Sequence, residues 1–343
     1  MKMKRVLALL MALVMAMAFT ACGSSSDDAS DSAASAEATE SDDATASTDG
    51  QTYTIGICQL VEHPALDSAT QGFQDALTDL LGDSVTFDVQ NAQGDSATCS
   101  TITNTFVSNN YDLILGNATA ALQAAIASTS DIPILGTSVT DYATAMDIDD
   151  WTGATGTNVS GTADLAPLDQ QAACIQELFP DAKTVGILYC SAEPNSKYQS
   201  TVITGYLEDM GYTVTEYTFA DSNDVASVAQ SASSASDVIY IPTDNTAANC
   251  TEAIANVVIP AGTPVFAGEE GICSGCGVAT LSIDYYDLGY ATGKMAYEIL
   301  VNGADPGTMD IQFASEVTKE YNATNVEALG ITVPDDYVAI ESE

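Results

Sequence analysis

Short apolar runs alternate along this chain with stretches whose apolar residues recur every three or four positions. The runs are YTIGIC (53–58), SVTFDVQ (84–90), YDLILG (111–116), IPILG (132–136), TVGILYC (184–190), YTVTEYTF (212–219), DVIYIP (237–242), PVFAG (264–268) and VATLSI (278–283). Between them, Leu66, Phe73, Leu77, Leu80 and Leu81 fall on one face of a helix. So do Val202, Ile203, Tyr206, Leu207 and Met210, ended by Gly211, and Leu288, Met295, Ile299 and Leu300, ended by Gly303. Glycine just past the last turn is a common helix stop. Strands alternating with helices predict parallel α/β layers. Unbroken runs such as Leu113-Ile114-Leu115 and Val238-Ile239-Tyr240-Ile241 predict strands buried on both faces.

The alternation occurs twice, over 53–145 and again over 165–285. Between them DIDDWTGATGTNVSGTAD lacks a helical period and reads as a crossing between two bodies. The expected fold is therefore α/β, with two doubly wound parallel-sheet lobes and a cleft between them. The first lobe is expected at 52–165, completed by part of 285–320. The second is expected at 166–284, completed by part of 320–343.

The N-terminus changes where this body is expected to work. Lys2, Lys4 and Arg5 precede a run of Leu, Val, Met and Ala that stops at Phe19-Thr20-Ala21-Cys22. A small residue before cysteine at the end of such a run is the signature of a bacterial lipoprotein, with a signal peptide over 1–21 and lipidation at Cys22. Two acyl chains suffice for stable anchoring where one does not. The expected place is the extracytoplasmic face of the cell membrane. Residues 22–51 then form an acidic Ser/Ala/Asp linker with no residue large enough to build a core, expected to be disordered and to span about 30 Å.

Charge narrows the chemistry. The chain holds 48 acidic and 7 basic residues. After the signal peptide only Lys183, Lys197, Lys294 and Lys319 remain, and no arginine. Nucleic-acid binding needs cations for phosphate contacts and is excluded on this ground. Apart from Cys22 there are seven scattered cysteines, Cys58, Cys99, Cys174, Cys190, Cys250, Cys273 and Cys276, an odd number that does not suit a full disulfide framework. Cys273-Ser-Gly-Cys276 has redox or metal spacing, but one histidine in the chain and no second such pair leave little for zinc. No cofactor is expected.

In open α/β sheets, ligands bind beyond the carboxyl ends of the strands. Polar residues gather there throughout. Gln59, Glu62 and His63 follow the first strand, Asn117 and Thr119 the third, and Thr137, Ser138 and Thr140 the fourth. Glu193 and Asn195 follow TVGILYC, Thr243, Asp244 and Asn245 follow DVIYIP, Glu269 and Glu270 follow PVFAG, and Asp284 follows TLSI. Hydroxyls and helix amides can hold a carboxylate without arginine. Glu62, Asp244, Glu269 or Asp284 could hold an ammonium. Asn, Asp, Ser and Thr are also the preferred helix caps, so capping alone is an alternative for Asn117, Thr119 and Asp284.

Taken together, IGICQLVEHPALD, GNATAALQAA, PILGTSVTDY, FPDAKTVGILYCSAEPNS, DVIYIPTDNT, PVFAGEEGI and IDYYDLGYATGKMAYEIL resemble the substrate-binding lipoproteins of ABC transporters, in their tryptophan/tyrosine-type group. The resemblance covers about 53–333 and implies the type I periplasmic-binding-protein fold. It implies a non-enzymatic, monomeric receptor that closes on a small ligand, an aromatic amino acid or a related compound. The receptor then hands it to a permease whose transmembrane subunits work with a cytoplasmic ATPase. By position it places Gln59, Glu62, His63, Thr137, Ser138, Asn195, Asp244, Asn245, Glu269 and Asp284 along the cleft. Separately, Tyr142 or Tyr285 near the cleft could pack a ligand side chain, with a place in the core as the alternative. A sugar or nucleoside receptor of the same fold is an alternative, weakened by the missing arginine. A thiol oxidoreductase using Cys273 and Cys276 is another.

Overall fold

The computed structural model describes residues 50–340. The expected signal peptide over 1–21, Cys22 and nearly all of the expected acidic linker lie outside the described residues. From residue 53 the chain forms β1 (Tyr53–Gln59), α1 (Pro64–Leu81), β2 (Val85–Asn91), α2 (Ser96–Ser108), β3 (Leu113–Asn117), α3 (Thr119–Ser128), β4 (Ile134–Val139), α4 (Tyr142–Met146) and β5 (Val159–Ala163). A second series follows: α5 (Leu168–Leu178), β6 (Thr184–Cys190), α6 (Pro194–Asp209), β7 (Thr213–Phe219), α7 (Val225–Ala235), β8 (Val238–Ile241), α8 (Asn245–Ala248), α9 (Thr251–Ala261), β9 (Val265–Ala267), α10 (Glu270–Cys276) and β10 (Ala279–Ser282). The chain ends with α11 (Tyr285–Leu300), β11 (Gln312–Phe313), β12 (Thr318–Tyr321), α12 (Ala323–Leu329) and β13 (Val338–Ala339).

Two sheets result, ordered β11-β5-β4-β3-β1-β2 and β13-β12-β10-β9-β8-β6-β7. Every pairing in the first is parallel. In the second only β10–β12 is antiparallel. The fold class is thus the expected α/β with two parallel-dominated sheets. The central strands are fully buried, as their apolar runs require.

The chain passes between the sheets at 164–167, at 283–284 and at 314–317. The second passage returns α11 to the first sheet, where it packs along α1. Small residues set how close the two helices come. A Cβ on Gly289 would collide with the Ala69 carbonyl oxygen, and one on Gly72 with that of Tyr286. Phe73 and Leu77 of α1 share a core with Met295, Ala296 and Ile299 of α11.

One expectation is corrected. Val159–Ala163, inside the stretch read as a crossing, is a buried strand between β4 and β11. It carries no large aliphatic beyond Val159, so its sequence has no apolar signal. Its hydroxyls satisfy one another instead. Thr162 Oγ1 lies 3.2 Å from Thr137 Oγ1 and 2.8 Å from Thr292 Oγ1, and Ser160 donates to the Met309 carbonyl at 3.2 Å. Buried hydroxyls paired in this way do not carry the cost of unsatisfied ones.

Candidate functional site

The carboxyl ends of the strands in both sheets turn toward one enclosed cavity. Its empty space is about 280 Å3, the open solvent at its mouth included. The first sheet contributes His63, Leu66 and Ser138. The second contributes Asn195, Thr243, Asp244, Asn245, Ala248 and Glu269. Asp164 comes from the passage after β5, and Tyr285 opens α11 just after the second passage.

Each side chain is placed by local geometry. Pro64 opens α1 at a position that tolerates proline, and His63 precedes it with extended backbone. At Ser138 the β4–β5 pairing shifts register, and the residue takes φ 54. A bulge with a non-glycine residue in the left-handed region is strain of the kind stored at functional sites. Its Oγ is buried with no partner. Asp244 caps α8 through Ala247 N at 2.7 Å and also accepts from Cys190 N at 2.7 Å and Ser196 Oγ at 2.7 Å. Glu269 caps α10 through Gly271 N at 2.6 Å and Ile272 N at 2.5 Å. Glu193 is a bracket within the second lobe. It accepts from Asn245 N at 3.0 Å, Asn245 Nδ2 at 2.8 Å, Thr246 N at 2.8 Å and Thr246 Oγ1 at 2.7 Å.

Direct hydrogen bonds join the lobes around the cavity. His63 Nε2 lies 3.2 Å from Asn245 Oδ1. Gln199 Nε2 donates to Thr140 Oγ1 at 3.2 Å, and Thr140 Oγ1 in turn donates to Asp164 Oδ1 at 3.1 Å. Tyr285 donates its hydroxyl to Asp164 Oδ2 at 3.0 Å.

The cavity is electrostatically one-sided. Asp164, Asp244 and Glu269 are almost fully buried, and no lysine lines the space. Burial pushes Asp164 up to about 6, against the hydrogen bonds from Tyr285 and Thr140. Burial pushes Glu269 up to about 7, with Glu270 and Asp164 adding to the effect. Asp244 is raised too, by burial first and then by the charge of Glu193. Removing carboxylates from water without a counter-charge has this result. A cationic group arriving between them would reverse it.

The predicted site residues divide into three groups. His63, Ser138, Asn195, Asp244, Asn245 and Glu269 line the cavity. Gln59, Asn117, Thr119 and Thr137 are buried but face inward. Gln59 Nε2 donates to the Val61 carbonyl at 2.9 Å and to Asp67 Oδ1 at 2.5 Å. Asn117 Nδ2 donates to the Leu66 carbonyl at 2.8 Å and to Thr70 Oγ1 at 2.9 Å. Thr119 sits in the first turn of α3, and Thr137 joins the buried hydroxyls of β5. Gln59, Asn117 and Thr137 brace the elements around the lining. Glu62 and Asp284 are exposed, and Asp284 caps α11 through Asp287 N at 3.0 Å. Neither lines this cavity, and Asp284 lines the adjoining cleft that shares Glu269 and Tyr285 with it. Of the two aromatics, Tyr285 lines the cavity and Tyr142 does not. The Tyr142 ring packs in the first core and its hydroxyl donates to the Thr162 carbonyl at 3.2 Å. Asp164, Leu66 and Ala248 were not anticipated. Asp164 follows the strand that lacked an apolar signal, and Leu66 read only as part of a helix face.

Cys273 and Cys276 are wholly buried in α10 as free thiols, and burial raises both. Redox-active cysteines have the opposite properties, exposure and a lowered pKa.

Comparison with known proteins bears on the whole described body. A family model described as ABC transporter substrate binding protein matches residues 54–342. A curated tyrosine-binding protein of Clostridioides difficile (strain R20291) is 37% identical over 278 residues, 80% of each chain. An ABC domain from Streptococcus pneumonia, solved in complex with L-Trp, is 34% identical with a TM-score of 0.80, over 83% of this chain and 97% of that one. The ligand-free, open structure of a substrate-binding protein with adhesive properties from Clostridium difficile is 36% identical over 85% and 100%, yet its TM-score is 0.66. At nearly equal identity, this chain therefore superimposes better on the ligand-bound neighbour than on the open one.

Proposed function

Since this chain belongs to the family of ABC transporter substrate-binding proteins, we propose that its substrate is a zwitterionic aromatic amino acid, tyrosine or tryptophan, held in the cavity between the lobes. The observation that carries this reading is the enclosed set of buried carboxylates with no cation among the lining residues. The α-ammonium sits by Asp164 and Glu269, beside the Tyr285 hydroxyl. The α-carboxylate takes the free Ser138 hydroxyl and nearby donors. The side chain lies toward Leu66, Ala248 and His63. The tyrosine-binding relative and the L-Trp-bound neighbour support the ligand class. A sugar or nucleoside would bring no positive charge, and the carboxylates would stay uncompensated.

The ligand touches both lobes only when they are closed, so it shifts the population to the closed form. The closed receptor docks on the transmembrane subunits of a permease driven by a cytoplasmic ATPase, and it acts as a monomer. The sequence FTAC ending at Cys22 supports lipid anchoring at the extracytoplasmic face of the membrane.

Isothermal calorimetry across the amino acids tests the ligand, with mass spectrometry of whatever co-purifies. Tyrosine or tryptophan should bind, and binding by neither would reject the assignment. Cys22→Ala should move the protein from the membrane fraction to the medium, and a variant that stays in the membrane would remove the lipid anchor from the account.

A further inference from the structure

The chain has a single histidine, and its protonation is dictated by its neighbours. His63 Nε2 faces Asn245 Oδ1 at 3.2 Å. The orientation of that amide is set by its other end, where Asn245 Nδ2 donates to Glu193 Oε2 at 2.8 Å. A carboxylate oxygen only accepts, so the amide nitrogen must face Glu193 and the amide oxygen must face His63. Nε2 therefore carries the ring proton. Burial lowers the imidazole pKa, opposed by Asn245, Glu193 and Asp67, and favours the neutral ring. Nδ1 then holds a lone pair. It is buried and has no partner.

A buried acceptor left unpaired is costly, and one on the wall of a ligand cavity calls for a donor from the ligand. The charges that act on His63 are Glu193 and Asp67. Asp164 acts instead on Glu269 and Tyr285. The imidazole is bonded to Asn245, whereas Asp164 is bonded to Thr140 and Tyr285 and Glu269 to the start of α10.

Building on the amino-acid reading above, we propose that His63 Nδ1 is a specificity determinant, accepting a hydrogen bond from the distal end of the ligand's side chain. The ligand class is then an amino acid whose aromatic ring carries a donor, a phenol O–H or an indole N–H. Phenylalanine and leucine are rejected for want of one. A site built around a hydrogen bond discriminates against the analogue lacking it more strongly than an apolar pocket rejects a misfit.

Calorimetry with four ligands tests this: L-tyrosine against L-phenylalanine, and L-tryptophan against 3-benzothienyl-L-alanine, in which sulfur replaces the indole N–H. The donor-bearing member of each pair should bind about 10–100-fold more tightly. In His63→Leu both ratios should collapse toward one. Equal binding within each pair by the unaltered protein overturns the proposal and leaves the amino-acid receptor standing. Binding of none of the four takes down the receptor reading, and this one with it. A second measurement does not depend on a variant that folds. With 15N-histidine labelling and no histidine tag, the only imidazole gives one pair of ring nitrogen signals. The Nδ1 signal should be that of an unprotonated nitrogen and should move upfield with tyrosine or tryptophan but not phenylalanine. A protonated Nδ1, or a signal indifferent to tyrosine, overturns the proposal.

Discussion

Asp164→Asn is expected to weaken binding of the aromatic amino acid by about 100-fold to 1,000-fold, the range for removing one partner of a buried ion pair. It should also raise the melting temperature of the ligand-free protein above pH 7, in proportion to the fraction that is closed without ligand. The two effects share a cause. Asp164 is held by Thr140 and Tyr285 hydroxyls, and burial lifts it from an ordinary 3.8 to about 6. Because its pKa is raised in the closed fold, that state binds more protons than the unfolded state between those values. Stability is then fully present at low pH and is lost as pH rises through about 6. Asparagine removes that loss, since it has no charge to bury. It also fits, because the hydroxyl facing its amide nitrogen can rotate to accept while the other still donates to its amide oxygen. Glu269→Gln would be a poorer probe. Both Glu269 oxygens accept backbone N–H groups at the start of α10, and an amide nitrogen there would face a donor. Calorimetry and thermal melts of Asp164→Asn at pH 5, 6.5 and 8 decide the matter. Unchanged affinity would sink the ammonium assignment. A melting temperature that does not gain on the unaltered protein between pH 5 and 8 would show that the carboxylate is hydrated after all.

What the sequence made visible, and what it hid, follows from the same physics. Strands β3 and β8 announce themselves because their burial on both faces is met by an unbroken apolar run. Strand β5 is buried just as completely but is built from Val-Ser-Gly-Thr-Ala, with Thr162 bonded to Thr137 and Thr292. Its burial rests on partners distant in the chain, which no local pattern records. Missing β5 also hid Asp164, the first residue after it. For the cavity, the rule that polar residues after strands face the cleft located the right loops. It did not say which way each side chain turns. Ser138 turns to the cavity because a bulge aims it there, while Thr137, its neighbour, points into the sheet. His63 enters the cavity and Glu62 beside it goes to water. The sequence alone could not separate Asp244 from Asp284 either. Both cap helices, but only Asp244 is also buried against Cys190 N and Ser196 Oγ.

Deleting the ammonium from the ligand should matter as much as the Asp164 substitution, and by an amount that depends on pH. Consider 3-(4-hydroxyphenyl)propionate, which is tyrosine without its amine. To close around it, Asp164 and Glu269 must be buried with no cation between them. Asp164 moves from 3.8 to about 6 and Glu269 from 4.5 to about 7 on burial. Each shift is roughly two units, or about 3 kcal/mol at a pH where the group would otherwise be ionised. Water reaching the site reduces this, so the loss at pH 8 is expected to be about 1,000-fold rather than the full product. At lower pH the carboxyls take up protons on closure and the penalty fades. Affinity for the deaminated ligand should rise as pH falls from 8 to 5.5, by up to about tenfold per pH unit for each proton taken up. Tyrosine brings its own positive charge, which keeps both carboxylates ionised in the closed form. Its affinity should stay nearly level over the same range. Calorimetry in buffers of different ionisation enthalpy separates the two cases directly, because proton uptake should accompany only the deaminated ligand. Parallel pH profiles for the two compounds, or a deaminated ligand that binds as well at pH 8 as at pH 5.5, would mean that the buried carboxylates do not face the ligand.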